Sequence, residues 1–172
     1  MNSLKRLMKE YKSVQDHQSA NTLPPNIVDL QPSKPSPDAE VDMHHWDCTI
    51  SGPEDSPYEG GTWVLKIDVP PTYPTQPPKI SFVTQIIHPN INFETGEICL
   101  SLLDASAKDG GWSPAWNLLN AAMAIVLLLT DPEPDSPLNI DAANLYRLDK
   151  RAYDSLINYY VHKLAGGVGS QS

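Results

Sequence analysis

The sequence has little that would place the protein in a membrane, a secreted scaffold or a nucleic-acid complex. Its longest uninterrupted apolar run, residues 121–129, is nine residues long, whereas a membrane-spanning helix needs about 20. Two cysteines cannot build a disulfide framework, which favours a reducing compartment. A formal net charge of −9 argues against a phosphate backbone as partner. No apolar stretch follows the chain start, so we expect no signal peptide and a cytoplasmic protein.

What the sequence does contain fits one globular domain. The 172 residues are 40% hydrophobic and 19% charged, which is enough to bury a core. Its 17 prolines make up about twice the usual share of roughly 5%. Because they are spread between apolar segments, they indicate turns and stiff loops. We expect one domain over residues 1–165 and a flexible, glycine-rich tail over 166–172.

The chain begins with a predicted amphipathic helix that has a basic face. Residues 3–16 carry apolar side chains three and four positions apart, and Ser3 is available as the N-cap. The apolar residues are Leu4, Leu7, Met8, Tyr11 and Val14. The other face holds one acid, Glu10, and four of the 12 basic residues, which are Lys5, Arg6, Lys9 and Lys12. A basic stripe on so acidic a chain favours a binding surface, with a solvated helix face as the alternative.

The middle of the chain predicts strands, and its C-terminal third predicts helices. Strand-like segments lie at 26–30, 43–50, 62–69 and 79–84. The short links between them predict an antiparallel meander. Helical segments lie at 115–129, 141–148 and 149–164, of which the first is apolar almost all round. Strands first and helices later are typical of an α+β domain.

The two cysteines need separate interpretations. Cys48 shares a strand face with Trp46 and Ile50, so we expect it in the core. Cys99 lies in residues 85–113, a long irregular stretch of a kind that is more often functional than not. Its neighbours in sequence are acidic and raise a thiol pKa; they are Glu94, Glu97, Asp104 and Asp109. A Cys/His hydrolase is therefore disfavoured, whereas an unactivated thiol suits exchange with an activated substrate such as a thioester.

Asn90 is a second candidate for the chemistry. Its amide could donate a hydrogen bond to the oxyanion that forms when a carbonyl on Cys99 is attacked, and loss of such a donor costs about 10²–10³ in rate. The alternative is a turn residue after Pro89. His88, in the same segment, would shape the loop and would not transfer protons.

An ordered set of motifs resembles the ubiquitin-conjugating enzymes. The motifs are SPYEGG at 56–61, YPTQPPKI at 73–80, HPNI at 88–91, GEICL at 96–100, WSPAW at 112–116 and DPEPDSPLN at 131–139. Each motif is weak alone, but the ordered set is specific and covers nearly the whole chain. The resemblance implies a transferase of an ATP-dependent pathway, with an N-terminal helix, a four-stranded antiparallel meander sheet and C-terminal helices. It implies no cofactor and no metal.

The resemblance also implies roles for single residues. Cys99 matches the nucleophile that takes ubiquitin from the ubiquitin-activating enzyme as a thioester and passes it to an acceptor, usually a lysine. Asn90 matches the asparagine that stabilises the oxyanion or orders the loop, a choice that stays open, and His88 and Pro89 match the loop beside it. Ser136 matches the acidic-or-serine position that positions the acceptor amine. From the residues alone, Ser136 is a turn residue in a proline-rich loop.

Partner surfaces follow from the same resemblance. Lys5, Arg6 and Lys9 match the surface that docks the activating enzyme. A RING-type ubiquitin ligase is expected to touch Lys5, the loop around Thr75, and Ser113, Pro114 and Ala115. Thr75 is a departure, because many members carry a large aromatic residue there. Two further departures are the loop 90–99, which is one residue longer than the commonest form, and the extended segment 101–111.

Within the family, two strings resemble the peroxisomal members of fungi. They are WNLL at 116–119 and SPLNID at 136–141. That resemblance implies a membrane-anchored peroxin as partner, the cycling import receptor as acceptor, and recruitment to the cytosolic face of the peroxisomal membrane. A thiol acceptor is compatible with Ser136, because a thiol is deprotonated more easily than an amine near neutral pH. The alternatives are a general cytosolic member and a non-catalytic binding module of the same fold. Cys99, Asn90 and Ser136 together disfavour the binding module.

Overall fold

The computed structural model describes residues 2–108 and 110–166. Their helices and strands are α1 (Ser3–Ser19), β1 (Ile27–Ser33), β2 (Asp42–Ser51), β3 (Thr62–Asp68), β4 (Lys79–Phe82), α2 (Leu118–Thr130), α3 (Ile140–Leu148) and α4 (Lys150–Tyr160). The four strands form one antiparallel sheet in chain order. The predicted α+β meander is therefore confirmed. Of the predicted tail, Gly166 forms an antiparallel bridge with Gly61, and residues 167–172 lie outside the described part.

Helix α1 differs from the prediction in its cap and in the face that it buries. The side chain of Asn2, not Ser3, accepts a hydrogen bond from the Leu4 N–H at 2.8 Å. Ser3 instead bonds Nε2 of His44 at 3.2 Å. The buried residues are Ser3, Leu7, Glu10 and Val14. Leu4 and Met8 are 42% and 59% exposed, so the apolar stripe that the sequence predicts is only partly the stripe that packs.

The sheet supplies most of the core. Trp46, Cys48 and Ile50 alternate on the buried face of β2, as predicted, and Cys48 is 1% exposed. Burial raises the pKa of the Cys48 thiol to about 12. This cysteine is therefore a small apolar core residue and stays protonated at any physiological pH.

Asparagine caps the first two of the three C-terminal helices. Asn117 accepts a hydrogen bond from the Asn120 N–H at 2.7 Å, so α2 begins at Leu118 and not at the predicted residue 115. Asn139 caps α3 in the same way. Helix α4 ends at Tyr160 and continues as a π-helical turn over Val161–Ala165. The resulting buried stripe has a spacing of four residues and consists of Tyr153, Ile157, Val161 and Ala165.

Candidate active site

Cys99 lies at the C-terminal end of a hairpin-like turn that spans residues 90–99. Its N–H donates to the carbonyl oxygen of Asn90 at 2.8 Å, and Ile91 and Ile98 pair between these two residues. Gly96 adopts φ +73°, and a Cβ there would lie 1.9 Å from the carbonyl oxygen of Phe82. Only glycine fits this turn, because a side chain would collide with the β4 backbone. The turn leaves the thiol half-buried.

The charges around the thiol come from two separate segments of the chain. Partial burial raises the pKa of Cys99, and the carboxylates of Glu133, Glu97 and Asp104 raise it further, in that order. Sequence proximity predicts two of these three acids but misses Glu133, which is 34 positions away and reaches the site only through the fold. Asp109 lies outside the described residues. The thiol is therefore protonated near neutral pH, as expected for an unactivated cysteine.

Asn90 joins the cysteine turn to the segment 131–139. Its side chain is fully buried. Nδ2 donates to the carbonyl oxygens of Glu133 and Ser136 at 2.7 and 3.2 Å, and Oδ1 accepts from the Glu133 N–H at 2.8 Å. Both amide hydrogens are engaged, so the side chain orders the loop in this state. The amide could donate to an oxyanion only if one of these two hydrogen bonds broke. The bond to the Ser136 carbonyl is the longer of the two.

His88 and Pro89 hold the same segment through other contacts. Nδ1 of His88 accepts from the Asn90 N–H at 3.0 Å, which leaves Nε2–H to donate to the Leu128 carbonyl at 2.7 Å. Burial lowers the pKa of His88 to about 4. The Pro89 carbonyl accepts from the N–H groups of Leu138 and Asn139 at 2.9 and 3.0 Å. With both ring nitrogens bonded and the ring neutral, His88 has no free position for proton transfer.

Ser136 lies on the exposed side of the anchored segment. Its carbonyl faces Asn90, as described above. On the other side, Nη2 of Arg147 donates to the Pro134 carbonyl and to Oδ1 of Asp135, both at 2.6 Å. Asn90 and Arg147 therefore hold the segment from two sides, and they place the Ser136 side chain at its surface.

Arg6 differs from the other basic residues of α1. Lys5 and Lys9 are exposed, but the Arg6 guanidinium donates to Oε1 of Glu10 at 2.7 Å and to the carbonyls of Pro114 and Trp116 at 3.0 and 2.7 Å. Its hydrogen-bonding capacity is largely used inside the protein. The exposed basic face of α1 therefore consists of lysines.

Glu10 is the centre of this arrangement, which we call the Arg6–Glu10 cluster. Its carboxylate also accepts from the Tyr73 hydroxyl at 2.6 Å and from the Leu118 N–H at 2.9 Å. The carboxylate is 9% exposed, and its three donors satisfy it despite that burial. The sequence pattern does not predict that Glu10 is buried. Tyr73 and Leu118 are distant in sequence and reach Glu10 only in the folded protein, and Arg6 lies on the same polar face of α1.

The predicted ligase-binding residues lie on two loops that touch. Nε1 of Trp112 donates to the Pro74 carbonyl at 2.8 Å, which joins the loop of Thr75 to the loop of Ser113, Pro114 and Ala115. Thr75 is exposed, as are Pro114 and Ala115. The loops of Thr75 and of Ser113, Pro114 and Ala115, which the resemblance assigns to a ligase, therefore contact each other and lie beside α1.

The described residues offer neither a metal site nor a membrane-spanning helix. In residues 2–108 and 110–166, no three His, Cys, Asp or Glu side chains are placed to hold a metal ion. The helices of the same ranges include none that is long and apolar enough to cross a membrane.

Comparison with known proteins shows which family this chain matches. Residues 6–161 match the model of the family described as "Ubiquitin-conjugating enzyme". The chain is 41% identical to "E2 ubiquitin-conjugating enzyme PEX4" of Komagataella phaffii, over 94% of each protein. It is 42% identical to "Protein PEROXIN-4" of Arabidopsis thaliana, over 93% of each. The solved structure described as "Crystal structure of H. polymorpha ubiquitin conjugating enzyme Pex4p in complex with soluble domain of Pex22p" superposes with a TM-score of 0.81 at 40% identity, covering 95% of this chain and 98% of that one.

Proposed function

The chain belongs to the ubiquitin-conjugating enzymes, and from that premise we propose that it carries ubiquitin on Sγ of Cys99 and transfers it to a protein acceptor at the peroxisome. The observation that carries the proposal is the placement of Cys99. Its thiol is half-buried at the end of a turn that the Asn90 backbone closes at 2.8 Å. The other cysteine is 1% exposed and inaccessible to a protein substrate.

Loading is an exchange between two thioesters. The Cys99 thiol releases its proton to solvent, and Sγ attacks the carbonyl carbon of the thioester between ubiquitin and the activating enzyme. A new C–S bond forms, the old C–S bond breaks, and the activating enzyme's cysteine leaves as a thiolate. The exchange is close to thermoneutral, because substrate and product are both thioesters. A raised thiol pKa suits this chemistry, since it keeps the free enzyme unreactive toward other electrophiles.

The partner surfaces are proposed from exposure and charge. Lys5 and Lys9 are exposed cations of α1 that would attract an acidic activating enzyme. Arg6 supports the neighbouring loop from inside, through the Pro114 and Trp116 carbonyls. A RING-type ligase would bind the joined loops of Thr75 and Ser113. With threonine at position 75, binding has no large aromatic anchor there.

The peroxisomal role is proposed from the relatives. Proteins named PEX4 and PEROXIN-4 match this chain over more than nine-tenths of its length, and Pex4p of H. polymorpha was solved with the soluble domain of Pex22p. We infer that a membrane-anchored peroxin of this kind recruits the enzyme to the cytosolic face of the peroxisome. The import receptor would be the acceptor during its recycling.

A loading assay tests the proposed activity. The protein is incubated with activating enzyme, ATP and ubiquitin and then separated on a non-reducing gel. Wild type is expected to form an adduct that a thiol reductant removes. Cys99→Ala should form none, and Cys99→Ser should form an oxygen ester that resists the reductant. Cys48→Ala is the matched control and should load normally. An adduct on Cys99→Ala, or none on wild type, overturns the proposal.

Recruitment is tested separately. The soluble domain of the Pex22p relative from the same cell is immobilised, and retention of the loaded enzyme is measured. Retention, together with ubiquitin transfer to the import receptor in the reconstituted mixture, supports the peroxisomal role. Loading without retention leaves a general cytosolic conjugating enzyme as the function.

A further inference from the structure

We propose that Tyr58 is a positioning residue for the thioester chemistry at Cys99. Its hydroxyl fixes the peptide unit before His88 and thereby the turn that carries the cysteine. The inference rests on the proposed function of Cys99 and deepens it. It gives a role to the SPYEGG motif, residues 56–61, which the proposed chemistry leaves without one.

The loop that contains this motif holds Tyr58 in the interior. The Tyr58 carbonyl accepts from the Gly61 N–H at 3.1 Å, and the Gly61 carbonyl accepts from the Gly52 N–H at 2.9 Å. A Cβ at position 52 would lie 1.7 Å from the Tyr58 carbonyl oxygen, so only glycine allows this approach. Tyr58 is 1% exposed, and its ring lies edge-on to that of Trp63 with centroids 5.9 Å apart. The loop and the neighbouring ring therefore fix the tyrosine.

The Tyr58 hydroxyl determines the direction of one carbonyl of the active-site segment. It donates to the Ile87 carbonyl oxygen at 2.7 Å. In residues 2–108 and 110–166, no other donor forms a hydrogen bond with that oxygen. The Ile87 carbonyl and the His88 N–H belong to the same planar peptide unit. The hydroxyl therefore sets the orientation of the plane next to which the His88 side chain begins.

Hydrogen bonds continue from His88 to the cysteine. Nδ1 of His88 accepts from the Asn90 N–H at 3.0 Å, and the Asn90 carbonyl accepts from the Cys99 N–H at 2.8 Å. Nε2 of His88 donates to the Leu128 carbonyl at 2.7 Å. His88 and Asn90 are both fully buried. A rotation of the peptide unit before His88 would therefore strain both hydrogen bonds of the imidazole and displace the turn of Cys99.

Tyr153 of α4 extends this series of contacts to the C-terminal helices. The single hydroxyl proton of Tyr58 goes to the Ile87 carbonyl, so Tyr153 is the donor in the 2.8 Å hydrogen bond between the two tyrosine hydroxyls. Burial raises the pKa of both hydroxyls, so both keep their protons at physiological pH. The ring of Tyr153 packs edge-on against Tyr146 of α3, with centroids 5.1 Å apart. Helices α3 and α4 thus support the active-site segment through Tyr58.

Single-turnover transfer from the preformed thioester of ubiquitin and the activating enzyme tests the proposal. The concentration of this protein is varied, which gives a maximal rate and a half-saturating concentration. Tyr58→Phe keeps the ring and removes the hydroxyl. Loss of one buried hydrogen bond weakens the ordering of a segment by about a factor of ten. The maximal rate should therefore fall about tenfold. The half-saturating concentration should stay unchanged, because the basic face of α1 is untouched.

Tyr153→Phe is a second, milder variant. It leaves the hydrogen bond to the Ile87 carbonyl in place and removes only the donor to the Tyr58 oxygen. The maximal rate should fall by about threefold, again at an unchanged half-saturating concentration. If Tyr58→Phe does not fold, a wild-type rate in Tyr153→Phe overturns the proposal.

The matched control is Tyr73→Phe. Tyr73 is also 1% exposed, and its hydroxyl also donates one hydrogen bond, to Oε1 of Glu10 at 2.6 Å. This bond belongs to the Arg6–Glu10 cluster and not to the segment of Cys99. Tyr73→Phe should lower the free energy of unfolding about as much as Tyr58→Phe does, but its maximal transfer rate should equal that of wild type.

Amide hydrogen exchange separates a change of position from a loss of global stability. The Asn90 N–H, which His88 accepts, reports on the active-site segment. The Leu118 N–H, which Glu10 accepts at 2.9 Å, reports on the Arg6–Glu10 cluster. Tyr58→Phe should accelerate exchange at Asn90 about tenfold and leave exchange at Leu118 unchanged. Tyr73→Phe should do the reverse.

Three results overturn the proposal. The first is a wild-type maximal rate in Tyr58→Phe. The second is an equal fall of the rate in Tyr73→Phe, which would assign the effect to stability. The third is slower transfer without faster exchange at Asn90, or faster exchange without slower transfer. Failure of the proposed function is distinct from all three, because the wild-type protein would then accept no ubiquitin on Cys99.

Discussion

Substitution of Asn90 by alanine separates the two roles that the sequence leaves open for this residue. The change removes three hydrogen bonds between the side chain and the backbone of Glu133 and Ser136. A net value of about 1 kcal/mol for each bond gives about 3 kcal/mol for the contact. That loss corresponds to a roughly hundredfold rise in the equilibrium constant for opening of the segment. Amide hydrogen exchange at Glu133 and Ser136 should accelerate by about that factor.

The assay pairs this exchange measurement with single-turnover discharge of the loaded enzyme. If Asn90 acts by ordering the segment, faster exchange and slower discharge appear together in Asn90→Ala. Asn92→Ala is the matched control, since it removes two hydrogen bonds, to the N–H groups of Glu94 and Thr95, that do not involve the segment. Wild-type exchange combined with a 10²–10³-fold slower discharge would refute the ordering role and assign the amide to the oxyanion.

Two further predictions concern the basic face and the buried histidine. Charge reversal at Lys5 and Lys9 should slow loading most at low salt, because exposed charges are least screened there; Arg6→Ala should weaken the fold instead, with a loading defect that salt does not change. Indifference of the lysine variants to salt would refute the docking face. For His88, burial lowers the pKa from 6.5 to about 4, so between these values the unfolded chain binds a proton that the folded protein does not. The free energy of unfolding, measured by urea denaturation, should therefore fall by about 3 kcal/mol as the pH drops through that window. His88→Gln should flatten this dependence and His162→Gln, at an exposed site, should not; equal slopes in both would contradict the assignment.

The sequence pattern predicts the sheet well, because the alternation of apolar residues within a strand identifies its buried face. Alternation places Trp46, Cys48 and Ile50 on the buried face of β2 without reference to any other segment. The first residue of a helix can also be predicted from nearby sequence, but the capping residue indicates it better than the apolar run does. Asn117 and Asn139 mark the first residues of α2 and α3, and reading them as caps would correct the predicted start at residue 115.

The candidate active site is predictable only where its residues are neighbours in sequence. Cys99, Asn90 and His88 come from one irregular segment and can be chosen from it. Glu133 cannot, because its effect on the thiol arises from a turn that folds back across Asn90. The same limit explains Glu10, whose position on the polar face of an amphipathic pattern predicts exposure, although tertiary contacts bury it.

The Arg6–Glu10 cluster divides one helix into positions that are free to vary and positions that are not. Lys5 and Lys9 point outward, so a designer who wants to reroute the enzyme to a different upstream or downstream protein can alter them one at a time. Arg6 and Glu10 form hydrogen bonds that fix the positions of Tyr73, Pro114, Trp116 and Leu118. A swap at either therefore has to be redesigned together with both neighbouring loops, and a lineage that drifts there would need coordinated changes to keep its choice of partners.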